Sequence, residues 1–323
     1  RMKILIIGAG GMVGQKLVHK LLEPNFNAFN IDEICLFDLY LPKYKDTRIR
    51  RVIGTVENSA ILKKFSSERF GLIFYLASIV SGEAEENFEK GWNVNLFSMW
   101  NFLSALKVEH LNSSRKYIPK VIFTSSIAVF GSPFPDKIDD EFLCSPQTSY
   151  GAQKASIEIL ISDFSRKGFI NGISLRLPTI CVRPGKPNKA ASGFFSNIIR
   201  EPLNGKKAYL PVDPSVRHWH ASPRSAVNFL IHAVSLETFQ LENRRSLNLP
   251  GVSCTVEEQI ESLRSIAGQK AVDLIVPKKD LSIQNMVKGW PKNFSPLKAS
   301  QLGFKSENNF NEIIKIFIED DLN

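Results

Sequence analysis

The segment "KILIIGAGGMVG", residues 3–14, places the apolar run Ile4–Ile7 directly before a turn with glycines at 8, 11 and 14. Helical spacing follows it over 12–23. An uninterrupted apolar run of this length is the pattern of a strand covered on both faces, as in parallel sheets flanked by helices. The same pattern recurs in "EICLFD" (33–38), "GLIFYLA" (71–77), "KVIFTSS" (120–126) and "GISLRLP" (172–178). Segments with helical spacing lie between these runs at 57–65, 85–107 and 149–166. Strand–helix alternation of this kind predicts an α/β fold with a doubly wound parallel sheet.

The pattern changes after about Cys181. "VRPGKPNKAASG" is a loop rich in Pro, Gly and Lys, followed by helical runs at 193–203 and 224–236 and the strand-like "SLNLP" (246–250). Thr255 stands three residues before Glu258, the signature of a capping box. Residues 2–180 are therefore expected to form a Rossmann-type domain to which 224–250 returns. Residues 181–223 and 251–323 are expected to form a smaller, interleaved substrate-binding lobe, with a cleft between the two.

The glycine turn has a chemical reading. Glycine side chains are absent where a turn must tighten, where backbone must approach a pyrophosphate, and where helix must pack on strand. Gly8, Gly11 and Gly14 fit those positions, and Met12 and Val13 open a helix whose free N–H groups favour phosphate. Asp38 ends the second strand, where its carboxylate can accept the ribose hydroxyls of an adenosine and would repel a 2′-phosphate. No arginine follows at once in "DLYLPK". NAD, rather than NADP, is the expected cofactor.

"SYGAQK" (149–154) sets Tyr150 and Lys154 on one helix face, near the strand end holding Ser125 and Ser126. A free phenol has a pKa near 10. An ammonium about 5 Å away stabilises its anion by about 3 kcal/mol at an effective dielectric near 20, roughly two pKa units. Tyr150 is thus expected to act as a general base on an alcohol, with Ser126 orienting the same oxygen and Lys154 reaching the nicotinamide ribose.

"GAGGMVG", "YLAS" (75–78), "TSSIAVFG" (124–131) and "YGAQK" resemble the extended short-chain dehydrogenase/reductase family over nearly the whole chain. That resemblance implies catalytic roles for Ser126, Tyr150 and Lys154. It also implies cofactor contacts from Leu76, Ala77 and Asn95, and from Leu177, Pro178 and Thr179. Two positions depart from the family pattern: Ile7 replaces a frequent threonine before the glycine motif, and Thr55 replaces an acidic residue after the third strand. Several stretches, among them 175–203 and 217–227, resemble members that oxidise the 2-hydroxyl of a small sugar acid. A carboxylate substrate calls for a bidentate guanidinium, and Arg183 and Arg217 both fall in the smaller lobe. His220, Ser81 and Thr179 are further substrate-binding candidates, alongside Ser126 and Tyr150. Members often dimerise through the helices at 85–107 and 149–166, whose Ile157, Leu160, Ile161 and Phe164 exceed the needs of the sheet; a homodimer is expected.

Composition narrows the alternatives. The net charge is +9, but Lys and Arg are spread along the chain, and the densest group, "DTRIRR" (46–51), contains its own aspartate. No nucleic-acid motif accompanies it, so no nucleic-acid partner is expected. The apolar stretch 72–80 is too short to span a bilayer, and a strand pattern begins at once, so neither a membrane nor a signal peptide is expected. Cys35, Cys144, Cys181 and Cys254 form no CxxC pair, which fits a reduced cytoplasmic setting. His218 and His220 lack a third ligand at metal spacing, so no metal is expected. A nucleotide-sugar epimerase or reductase, and an NAD(H)-binding redox sensor, remain as other readings. A dehydratase is disfavoured by Ile127–Ala128, which stand where an Asp-Glu pair is usual.

Overall fold

The computed structural model describes residues 2–187 and 190–322. Its strands are β1 (Met2–Ile7), β2 (Ile31–Asp38), β3 (Ile49–Ile53), β4 (Leu72–Tyr75), β5 (Lys120–Ser126), β6 (Asn171–Leu177), β7 (Thr179–Ile180), β8 (Ala208–Leu210), β9 (Arg217–Ala221), β10 (Ser246–Asn248), β11 (Val252–Thr255) and β12 (Ile275–Pro277). Seven of them form one sheet in the order β10-β6-β5-β4-β1-β2-β3, and every pairing in it is parallel. The winding reverses between β1 and β4, and a crevice opens at such a reversal beyond the carboxyl ends of the strands.

Both faces of this sheet are buried, which is why its central strands read as continuous apolar runs. Ile4 and Ile6 pack into one core with Leu17, Ala226 and Leu230. The alternate residues Leu5 and Ile7 pack into a second core with Phe65, Phe102 and Ile157. Successive side chains of a strand point to opposite faces, so one apolar run feeds two layers. β3 breaks the rule because it is the edge strand. Its arginines lie along a solvated margin, where Arg50 pairs with Glu33 and Glu68 at 2.8 and 2.5 Å. The basic cluster at 46–51 is thus edge-strand chemistry.

A three-stranded sheet, β11-β9-β7, and the pair β12-β8 lie outside the large sheet. A third core fills the space around them, with Phe195, Ile198, Leu210, Leu263 and Ile313 fully or nearly fully buried.

The helical segment at 85–107 is not one helix. Two short helices, Ser81–Glu86 and Phe88–Trp92, meet at Asn87, whose side chain caps the second by accepting from the Lys90 N–H. A π-helical turn, Asn93–Phe97, then leads into the helix Ser98–Asn112. The residues singled out on Ser149–Arg166 are mostly spent inside the protomer: Ile157, Ile161 and Phe164 are buried, and Leu160 packs beside them. Exposed apolar groups on these helices include Phe88, Phe97, Trp100 and Ile159.

The helix Ser149–Arg166 is fixed against the end of β5. Thr148 caps it by accepting from the Gly151 N–H. A β-carbon at Gly151 would lie 2.1 Å from the Ala128 carbonyl oxygen, so only glycine permits this approach. Farther along, Glu158 accepts from Ser125 Oγ at 2.5 Å and from both arms of Arg176 on β6. This ion pair is largely withdrawn from water, with side-chain exposures of 12% and 5%. Removing one partner strands a buried charge, at a cost of about 3–5 kcal/mol. Arg176→Met is expected to destabilise the protein by about that amount, read by urea denaturation at neutral pH.

Candidate active site

A cleft of about 400 Å³ opens at the carboxyl ends of the central strands. It runs from the glycine turn, past Ser126, Tyr150 and Lys154, to Thr179, Arg183, His218 and Trp290.

At one end, Gly8 and Gly14 are required sterically and Gly11 is not. Gly8 has φ +93°, and a β-carbon there would lie 2.5 Å from the Ala77 amide nitrogen. A β-carbon at Gly14 would lie 2.5 Å from the Gly8 carbonyl, so the helix Met12–Leu21 could not seat on β1. Gly11 meets nothing nearer than 3.7 Å and faces the cleft, which leaves bare backbone beside a helix N-terminus. No acidic residue occupies the first turn of that helix. This cradle fits a dinucleotide pyrophosphate. Met12 and Val13 line the same end.

Asp38 sits beyond the cleft lining, at the end of β2, where it braces the turn. Its Oδ2 accepts from the Gly10 N–H at 2.8 Å and its Oδ1 from the Leu39 N–H at 2.7 Å. A carboxylate has about four acceptor sites, so two remain for ribose hydroxyls. Leu76, Leu177, Pro178 and Thr179 line the cleft. Ala77 lies behind Gly8, outside the lining. Asn95 is buried: its Oδ1 accepts from the Ile79 N–H at 2.9 Å and its Nδ2 donates to Gln153 Oε1 at 2.7 Å. It braces the 76–80 segment against the helix carrying Tyr150.

At the other end Tyr150 faces Ser78 and Ser126. Burial holds its phenol above the ordinary value, against a hydrogen bond with Ser78, the charge of Arg183 and a hydrogen bond with Ser126. Ser126 Oγ also accepts from the Ala128 N–H at 3.0 Å, which fixes its rotamer. The strong downward pull expected of Lys154 is absent for a physical reason. The lysine is itself buried, and burial lowers its ammonium to about 7, opposed by the carboxylate of Glu158. Its Nζ donates to the Thr124 carbonyl at 2.7 Å and lies 4.7 and 5.4 Å from the ring centres of Phe123 and Tyr150.

The substrate candidates separate. Ser81, Thr179 and Arg183 line the cleft, and Arg183 lies within electrostatic reach of Tyr150. Its guanidinium has no carboxylate partner among the described residues. Arg217 does not line the cleft: half-exposed, it pairs with Glu258, the capping-box residue, at 3.1 Å. His220 is fully buried away from the cleft, against Phe195 and Phe310. Its neighbour His218 lines the cleft instead. Ser78 and Trp290 also belong to the lining and were not singled out. Ser78 lies within "YLAS", so the motif itself locates it at the strand end. Trp290 joins only through tertiary packing, as its ring lies 5.6 Å from that of His218. Among the described residues no group of three or more His, Cys, Asp or Glu could hold a metal ion, and no helix is long and apolar enough to cross a membrane.

The chain is 40% identical to a D-erythronate dehydrogenase of Cupriavidus necator, covering 99% of this chain and 98% of that protein. It is 41% identical to a D-erythronate dehydrogenase of Haemophilus influenzae, covering 99% and 100%. It also matches a crystal structure described as the nucleoside-diphosphate-sugar epimerase from Agrobacterium tumefaciens. The TM-score is 0.95, with 48% identity over 99% of this chain and 94% of that one.

Asp38→Ala is expected to weaken NADH binding roughly tenfold or more and to affect NADPH less, as measured by quenching of protein fluorescence. An equal effect on both would detach Asp38 from the ribose. Residues 4–222 match the model of the NAD dependent epimerase/dehydratase family; together with the glycine cradle and the two near-full-length relatives, this establishes that the chain belongs to that family and is an NAD-dependent enzyme.

Proposed function

We propose that the protein oxidises the 2-hydroxyl of a small sugar acid, D-erythronate foremost, to the 2-keto acid. The observation that carries this reading is Arg183, a guanidinium lining the same cleft as Tyr150 and without a carboxylate of its own among the described residues. A planar cation left unpaired beside the candidate base fits an acceptor supplied by the substrate, and a carboxylate is the best geometric match. The names of the two dehydrogenase relatives support the same substrate.

In this reading Arg183 fixes the carboxylate and Tyr150 takes the proton of the adjacent hydroxyl. Ser126 and Ser78 hold the phenolic oxygen in line and stabilise it as its proton is exchanged. Lys154, tied to the Thr124 carbonyl, brings a titratable cation under the tyrosine ring. NAD, when bound, supplies the hydride acceptor and a positive ring that opposes the upward pull of burial on the phenol. Tyr150 first gives its own proton up to solvent; the substrate's C2–H bond then breaks with its electron pair leaving as hydride to NAD, the hydroxyl proton passes to the Tyr150 phenolate, and C2 becomes a carbonyl.

A second reading follows from the Agrobacterium structure, which is described as a nucleoside-diphosphate-sugar epimerase. In it Arg183 would meet a diphosphate. The exposed Phe97, Trp100 and Ile159 favour a second copy of the chain as the protein partner, and their burial would complete a homodimer.

D-Erythronate with NAD is expected to give NADH absorbance, and UDP-sugars no interconversion. The reverse result selects the epimerase. Tyr150→Phe is expected to lower turnover by about 10²–10⁴-fold while NADH still binds. Arg183→Ala is expected to lower kcat/KM roughly 10–100-fold, and less for the uncharged lactone; an unchanged kcat/KM would remove the carboxylate from Arg183.

A further inference from the structure

His218 lies at the far end of the cleft with its imidazole held on every side. Nδ1 lies 2.9 Å from the Pro291 carbonyl oxygen, which can only accept, so the proton sits on Nδ1. The ring stacks flat on Phe195, with centroids 4.8 Å apart and planes within 1°, and it is 3% exposed. Burial without a carboxylate partner keeps it neutral, with its pKa lowered from 6.5 to about 4. Nε2 is then a bare acceptor. Thr179 Oγ1 lies 2.6 Å from it, and that contact requires the threonine hydroxyl to donate.

A threonine hydroxyl has one proton and two lone pairs. With its proton given to His218, Thr179 turns only lone pairs toward the cleft. A substrate carboxylate has nothing to donate to it, whereas a substrate hydroxyl does. The cleft is therefore polarised between a donor, the Arg183 guanidinium, and an obligate acceptor, Thr179 Oγ1. We propose that His218 sets this polarity, so that Thr179 selects acids carrying a hydroxyl beyond the one oxidised and orients them with the carboxylate toward Arg183. The inference rests on the sugar-acid dehydrogenase reading and names its specificity determinant. His220, two residues along the same strand, cannot take the part, because it lies outside the cleft lining.

The test compares kcat/KM for D-erythronate with that for 2-hydroxybutanoate of the same C2 configuration, which lacks the two further hydroxyls. The wild type is expected to prefer D-erythronate by roughly tenfold or more, because an acceptor that bound substrate covers and leaves unfilled is costly. Thr179→Val removes the acceptor, and the ratio is expected to fall toward one. His218→Phe keeps the stacking on Phe195 but frees the threonine proton, and the ratio is expected to fall as well. NADH binding and thermal melting of each variant identify one that has misfolded. Nitrogen-15 NMR of labelled histidine then gives a reading that needs no substrate: His218 is expected in the neutral Nδ1–H form at pH 7. A charged His218 or an Nε2–H tautomer overturns the inference. So does an unchanged ratio in either folded variant while hydroxy acids are still oxidised. If no hydroxy acid is oxidised although His218 has the expected tautomer, the dehydrogenase reading itself falls, and this inference with it.

Discussion

Much of this molecule is arranged around one buried ammonium. Lys154 is 2% exposed, and an isolated charge at such depth is costly enough that the group tends to neutralise instead. Three features limit that tendency: the Thr124 carbonyl, the faces of Phe123 and Tyr150, and the carboxylate of Glu158. Glu158 is itself buried and is held by Ser125 and Arg176. A chain of charge therefore runs from β6, through the helix Ser149–Arg166, to the end of β5. It also fixes where Tyr150 and Ser126 sit, because these lie on the same helix and the same strand end.

The consequence for chemistry is a lysine whose protonation changes near neutral pH instead of far above it. A fixed cation under the tyrosine would favour the phenolate at all times. A titrating one, next to a phenol raised by burial, leaves the resting phenol neutral and makes its ionisation depend on what enters the cleft. The glycine turn at the opposite end works by shape. It bares backbone where a pyrophosphate fits and closes the helix onto β1 by the absence of side chains. Charge tuning at one end and steric omission at the other meet at the reversal of strand order between β1 and β4.

The sheet was legible because β1, β2, β4, β5 and β6 have both faces buried and so carry unbroken apolar runs. β3 carries no such run and was marked only by the resemblance, since an edge strand with Arg50 and Arg51 reads as a charged loop when its partners Glu33 and Glu68 are distant in sequence. The long helix expected at 85–107 conceals a break at Asn87, where a capping side chain, invisible to periodicity, restarts the helix. Residues tied to a motif could be located from sequence: Gly8, Gly11, Gly14, Ser126, Tyr150 and Lys154 line the cleft, and Asp38 sits just beyond it. Those set by tertiary packing could not. Arg183 and Arg217 were equivalent in sequence, and only the structure pairs one with Glu258 and leaves the other facing the cleft. His218 and His220 were likewise indistinguishable, because a strand's alternation puts both on one face without saying which reaches the cleft.

The central claim is that a buried lysine, poised by Glu158, titrates near neutrality beside Tyr150. Carbon-13 NMR of the Lys154 ε-carbon as a function of pH measures this directly. A midpoint near 7 is expected in the native protein, and a lower one in Glu158→Gln. A midpoint near 10.5, unmoved by that substitution, would contradict it.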